Sequence, residues 1–288
     1  MSNGSAGFKR MVVGLPQGLA NRAAVEAAVQ LAELLRIELL ATFIADSTLR
    51  ALAEFPTVRE LRTWGQQWQP LEPTRISQDL EQAASVARWR FAESVKNRSV
   101  KTSFDVVGGA EVIASLIRSD DIVAIIEPTH PGERITRQFT SLVHAAFETA
   151  AGILIVPQRI VRAMGPIMAV AADPGDPTMH VALEIAAALQ ERLVVLTRSG
   201  ALLSPKIQTD AKQLGVDLEQ IAFSGPAAEA SALRQLSARA KERMRVVTRS
   251  ELPEDSLRLF SMLGGVPLLA IEPDRTERAI EREKRRAR

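Results

Sequence analysis

The sequence predicts an α/β chain built as two tandem units, each around a five-stranded parallel sheet. Three observations lead there. The apolar segments are continuous rather than alternating, as in Ile37 to Ile44, Ile122 to Ile126, Ile167 to Ala172 and Leu268 to Ile271, which suits strands covered on both faces and therefore parallel. Helical patterns separate them, giving the strand–helix alternation of right-handed crossover units. The order of elements also repeats, and two copies of one unit account for 288 residues better than one large domain.

The first unit opens with the strand Met11-Val12-Val13. Asn21 is a candidate cap for a helix whose stripe is Val25, Ala28, Val29, Ala32 and Leu35, with Glu26, Gln30 and Glu33 turned outward. Ile37 to Ile44 is the second strand. The third runs into a glycine turn and a helix, "VVGGAEVIASLIRS", the fourth is Ile122 to Ile126, and the unit closes on "GILIVP". The second unit follows the same course. Its long Ala-rich helix is Asp176 to Leu189, its second strand Leu193 to Thr197, its glycine turn "AFSGPAAEASALRQLS" and its last strand "VPLLAIEP". The expected boundaries are 1–158 for the first domain, 165–273 for the second and 274–288 for a charged tail, with Gln158 to Gly165 as the joint.

The first unit carries an extra segment near 47–75 that exceeds an ordinary connection. Thr57 and Glu60 have capping-box spacing, and Leu61, Trp64 and Trp68 would share a helical face. This reads as a short helix packed over the sheet edge or the other unit, with a lid as the alternative. The helix that follows has the stripe Ile76, Leu80, Ala83, Ala84, Ala87, Phe91 and Val95. Trp89 points away from that stripe between Arg88 and Arg90, fitting either a protein–protein contact or packing beneath the extra segment.

Composition narrows the function classes. Apolar residues make up 46%, enough for a substantial core. The absence of cysteine excludes disulfides, thiolate metal sites and cysteine nucleophiles. No segment has the length of a membrane span, the N-terminal residues have no apolar signal core, and the protein is read as cytoplasmic. The pI of 9.2 reflects the tail. Residues 274–288 carry +3 of the chain's net +2, leaving a body of −1, which argues against a nucleic-acid partner. The tail itself is read as a solvated terminus or as a contact for an acidic partner or anionic lipid headgroups. His130, His144 and His180 lack metal-ligand spacing, and no nucleophile, base and orienter can be assembled, so no catalytic residue is assigned.

The element order, together with "TSLVHAAFETAAGILIVP" from Thr140 to Pro157, resembles the universal stress protein family in tandem form. The resemblance implies two Rossmann-like domains. In ATP-binding members an Asp follows strand one. A Gly-x-x-Gly pair follows strand four, with Gly-Ser or Gly-Thr nine residues on. Here Pro16 and Gln17 replace the Asp, and Glu127 and His130 occupy the glycine positions, so side chains stand where bare backbone would approach phosphates. Thr140 and Ser141 remain, as anion donors or as helix caps, and Phe43 matches the adenine-facing position. His130, Arg134 and Arg137 form either a different anion site or a solvated loop. The second unit keeps an Asp, Asp173, but has no glycine pair after "MRVVTRS".

The resemblance therefore implies a stress-response regulatory or binding protein with no required cofactor. The alternative is an ATP-binding protein with slow or no hydrolysis, its pocket outside the carboxyl ends of the strands. A different α/β enzyme with the extra segment as a lid is a third reading. Partners are expected through self-association as a homodimer, through an unidentified protein, and through pairing of the two units along Ile153 to Val156 and Leu268 to Ile271.

Overall fold

The computed structural model describes residues 7–15, 22–61, 67–109, 112, 115–128, 131–170, 176–198, 203–223, 240–252 and 263–272. The first half comprises β1 (Arg10–Leu15), α1 (Arg22–Leu35), β2 (Glu38–Ile44), α2 (Ser47–Ala53), β3 (Arg59–Leu61), β4 (Trp68–Pro70), α3 (Pro73–Val95), β5 (Thr102–Val107), β6 (Asp121–Ile126), α4 (Arg137–Thr149) and β7 (Gly152–Val156). The second comprises β8 (Ile167–Val170), α5 (Pro177–Leu189), β9 (Leu193–Arg198), α6 (Pro205–Leu214), β10 (Leu218–Phe223), β11 (Met244–Thr248) and β12 (Leu268–Ile271).

Ten strands form one sheet in the order β10-β9-β8-β11-β12-β7-β6-β1-β2-β5. Taken in chain order within the large sheet, each run of five has the same sequence of neighbours, third-second-first-fourth-fifth. All pairings are parallel except one. β12 meets β7 antiparallel, with Leu268 opposite Ile155, Leu269 opposite Leu154, Ala270 opposite Ile153 and Ile271 opposite Gly152. These are the last strands of the two halves, which the family resemblance points to as the contact.

The central strands are buried throughout, and their alternate residues feed two layers. On one face α1 covers Met11, Val13, Ala124 and Leu154, and α3, α5 and α6 continue the same layer. On the other, α4 covers Val123, Ile125, Ile153 and Ile155 through Leu142, Val143 and Ala146. The first layer runs unbroken across the seam, because α1 and α5 both pack on it. The anticipated α1 stripe is buried, from Ala24 and Val25 to Leu35. Gly14 lets α4 lie close to β1, since a Cβ there would stand 3.0 Å from a methyl of Leu142.

The joint between the halves is short and fixed. The Val161 N–H donates to Gly265 O at 3.0 Å, and the Gly165 N–H donates to Glu191 Oε1 at 3.0 Å. Gly165 has φ +128°, and a Cβ would lie 2.5 Å from Lys241 O, so only glycine fits there.

The extra segment departs from expectation. Among the described residues the helix anticipated around Thr57 to Trp68 does not form, and β3 and β4 pair as a two-stranded antiparallel sheet with Leu61 opposite Trp68. Glu60 does not close a capping box. Its carboxylate holds Arg75 in the first turn of α3 at 2.6 Å, which turns Glu60 and Gln69 inward and Leu61 and Trp68 outward. Trp68 is 63% exposed and Leu61 54%, so the segment does not bury an aromatic stripe. Trp64 lies outside the described residues. Trp89 is also exposed, at 65%, and does not pack beneath the segment. Along α3 the stripe holds, with Ile76, Leu80, Ala84 and Phe91 buried.

Candidate functional site

The crevice at the carboxyl ends of the parallel strands is where sheets of this order seat ligands. In the first half, Glu127 leaves the end of β6 and is held on three sides. Its N–H donates to Val156 O at 2.8 Å. Arg134 Nη2 donates to its Oε1 at 2.5 Å, and the Gln158 N–H donates to its Oε2 at 2.9 Å. Arg134 sits on the 3₁₀ turn Pro131–Ile135, which brings it back to the Glu127 carboxylate. The carboxylate thus accepts the cationic and main-chain donors that would otherwise face an incoming anion. The Arg134 guanidinium is engaged within the loop, so the expected alternative of an anion site using Arg134 starts from an occupied residue.

Helix α4 begins earlier than the sequence suggested. Thr136 is its cap, with its Oγ1 accepting from the Phe139 N–H at 3.3 Å and donating to Glu133 O at 2.7 Å. Thr140 and Ser141 are therefore not caps. They lie inside the helix, where the Thr140 N–H and Oγ1 both donate to Thr136 O, each at 3.0 Å. The reason is local: Thr136 follows the 3₁₀ turn with extended backbone, at φ −67° and ψ 145°, the conformation a cap requires. Ser141 is half-buried within the same helix. Phe43, at the end of β2, is 1% exposed and packs with Ala45 and Ala84 beneath α3, so its ring faces core rather than crevice. Pro16, Gln17, His130 and Asp173 lie outside the described residues.

In the second half, sequence reasoning missed a buried polar cluster. Asp176 caps α5 through Oδ1, which accepts from the Thr178 N–H at 2.9 Å. Its Oδ2 accepts from Thr248 Oγ1 at the end of β11, and the Thr178 and Thr248 hydroxyls lie 3.3 Å apart. All three residues are buried. The dipeptide Asp176-Pro177 was a legible signal, an N-cap followed by proline at the first helical position. Thr248 had none, because only the register of β11 beside β8 brings it there.

Arg249 follows immediately and reaches into the first half. Nη1 donates to Phe147 O at 2.7 Å and Nη2 to Ala150 O at 2.6 Å, capping the carbonyl end of α4. Nη1 also lies 3.4 Å from Glu272, and the guanidinium stands over the Phe147 ring at 5.8 Å.

Among the described residues neither half offers a reactive pair at the crevice. His144 meets Glu148 at 3.2 Å on the exposed side of α4, and His180 approaches Asp210 at 3.7 Å between α5 and α6. The pKa of His180 is lowered, by burial first and by Lys206 second, against an opposing effect of Asp210. Burial on α5 pushes Glu184 up to about 7. Among the described residues no cluster of acidic or histidine side chains converges as a metal centre would, and no helix is long and apolar enough to cross a membrane.

No protein-family model matches the chain, and no curated protein matches it. Solved structures do. A universal stress protein from Archaeoglobus fulgidus DSM 4304 superposes with a TM-score of 0.60 at 11% identity, over 91% of this chain and 96% of that one. The chain has the universal stress protein fold. A candidate universal stress protein of Pseudomonas aeruginosa UCBPP-PA14 aligns over 97% of this chain and 99% of its own, with a TM-score of 0.52 and 14% identity. A Pseudomonas aeruginosa PAO1 protein of unknown function aligns over 99% and 100%, with a TM-score of 0.51 and 15% identity. The likeness to universal stress structures thus extends over 91–99% of the chain.

Proposed function

We propose that this chain is a tandem protein of the universal stress type that acts in a stress response through conformation and association rather than catalysis. The observation that carries the reading is the Glu127 carboxylate, bound by Arg134 and by the Gln158 N–H at the place where the fold would seat a phosphate. An entering triphosphate would meet that carboxylate's charge and would have to displace it from its donors. The matching strand order of the two halves and their antiparallel join support two domains, 1–158 and 165–273, paired as separate chains would pair. The outward face of the β3–β4 hairpin, with Leu61 and Trp68 exposed, and the exposed Trp89 on α3 support association with a further protein or a second copy.

The test is equilibrium binding of labelled ATP to the purified chain alongside sedimentation analysis. The expected result is no saturation at millimolar nucleotide together with a self-associated species. Micromolar affinity that is lost in Ser141→Ala would replace this reading with that of an ATP-binding protein.

A further inference from the structure

A cleft of about 540 Å³ opens on the sheet face opposite α4, in the seam between the halves and away from the carboxyl-end crevice. It lies between α1, residues 160–163 of the joint and the amino-terminal ends of β11 and β12. Leu31, Leu34, Leu154, Ile160, Leu189 and Pro267 supply its apolar lining, and Arg98, Arg162 and Arg243 its cations. The volume is in the range of sites for small molecules, roughly 300–1,000 Å³.

The charges around it do not cancel. The lining Glu26 is bound to Arg22 at 2.7 Å. Arg98 reaches Glu33 at 3.3 Å, and Arg243 has only long contacts, to Gln30 at 3.4 Å and to Glu191 at 3.8 Å. Glu33 and Glu191 are shared, since they also accept the Ser99 and Gly165 N–H groups. Arg162 has no hydrogen bond or ion pair among the described residues. Apolar walls beside a surplus guanidinium favour a ligand with one anionic head and an aliphatic body. None of the lining residues is aromatic, so no platform exists on which a nucleotide base would stack.

We infer that this seam cleft binds an aliphatic carboxylate, with Arg162 as the principal anchor for the head group and Leu34, Ile160 and Leu189 against the chain. The inference does not depend on the proposed function, because the cleft shares no residue with the Glu127 loop.

The experiment is calorimetric titration of the full chain with dodecanoate below its micelle concentration, with dodecylamine as the cationic counterpart. The expected result is saturable micromolar binding of dodecanoate, weakened about tenfold or more in Arg162→Glu and abolished in Ala27→Phe, which fills the cleft from α1. Dodecylamine is expected not to saturate. Arg162→Glu changes a joint residue outside the helices and strands, so it keeps the test open if Ala27→Phe fails to fold. Absence of saturable dodecanoate binding to the unsubstituted chain would overturn the inference. So would undiminished binding by Arg162→Glu, or equal binding of dodecylamine.

Discussion

The loops that follow β6 and β11 occupy corresponding places in the two halves and are filled in different ways. After β6 the loop closes on its own half, with Glu127 holding Arg134 and the Gln158 N–H. After β11 the chain reaches outward, with Arg249 gripping the last carbonyls of α4 in the other half. Beneath Arg249, the Asp176–Thr178–Thr248 cluster closes the strand ends. The contrast teaches that a loop without the family's glycine pair need not become inert surface. In one half it becomes an internal plug, in the other a clasp between halves.

The contrast is broken most sharply at Arg249. If it is the clasp, Arg249→Ala leaves Phe147 O and Ala150 O without their donor and costs about 2–4 kcal/mol in chemical denaturation. A loss no greater than that of an exposed arginine would show that the seam is held by apolar packing alone. Next in size, Asp176→Ala removes both the helix cap and the acceptor for Thr248, at a cost of about 2 kcal/mol by the same measurement. A change within error would reduce the cluster to a bystander.

The eighth residue of each half's first helix sharpens the comparison through pH. It is Val29 in α1 and Glu184 in α5. Glu184 is raised from 4.5 to about 7 by burial, so the folded state holds its proton more tightly than the unfolded chain. Its contribution to stability is complete below pH 4.5 and is lost as pH rises through about 7. Glu184→Gln should therefore be near neutral in acid and stabilising by about 1–2 kcal/mol in mild alkali, allowing for partial exposure. A gain that does not change with pH would contradict this. The smallest effect is expected at the plug, where Arg134→Ala should cost about 1 kcal/mol, because that pair keeps contact with solvent. A cost matching that of Arg249→Ala would erase the distinction between plug and clasp.

The fold was legible because its cause is compositional. Runs such as Ile122 to Ile126 and Leu268 to Ile271 have no polar residue to place outside, which marks strands buried on both faces, whereas the antiparallel direction of the join was not readable from them. The hairpin was not legible. Thr57 to Trp68 satisfies a helical spacing, but the pull of Arg75 on Glu60 belongs to a residue outside that window. The wrong cap for α4 has the same origin, since two threonines four residues apart, Thr136 and Thr140, both suit the role and only the preceding 3₁₀ turn selects the first. At the site, Glu127 in place of glycine was readable from the family resemblance. That Glu127 would find Arg134, and that Arg249 would reach α4, required the path of the loops in space.

The central claim is that the first-half crevice is closed by its own ion pair, and the Gln158 amide reports on it directly. Titrating ATP into isotopically labelled protein should leave the Gln158 N–H resonance unmoved up to millimolar nucleotide, as expected while Glu127 remains its acceptor. A saturable micromolar shift of that resonance, signalling that the Glu127 carboxylate has been displaced, would contradict the account.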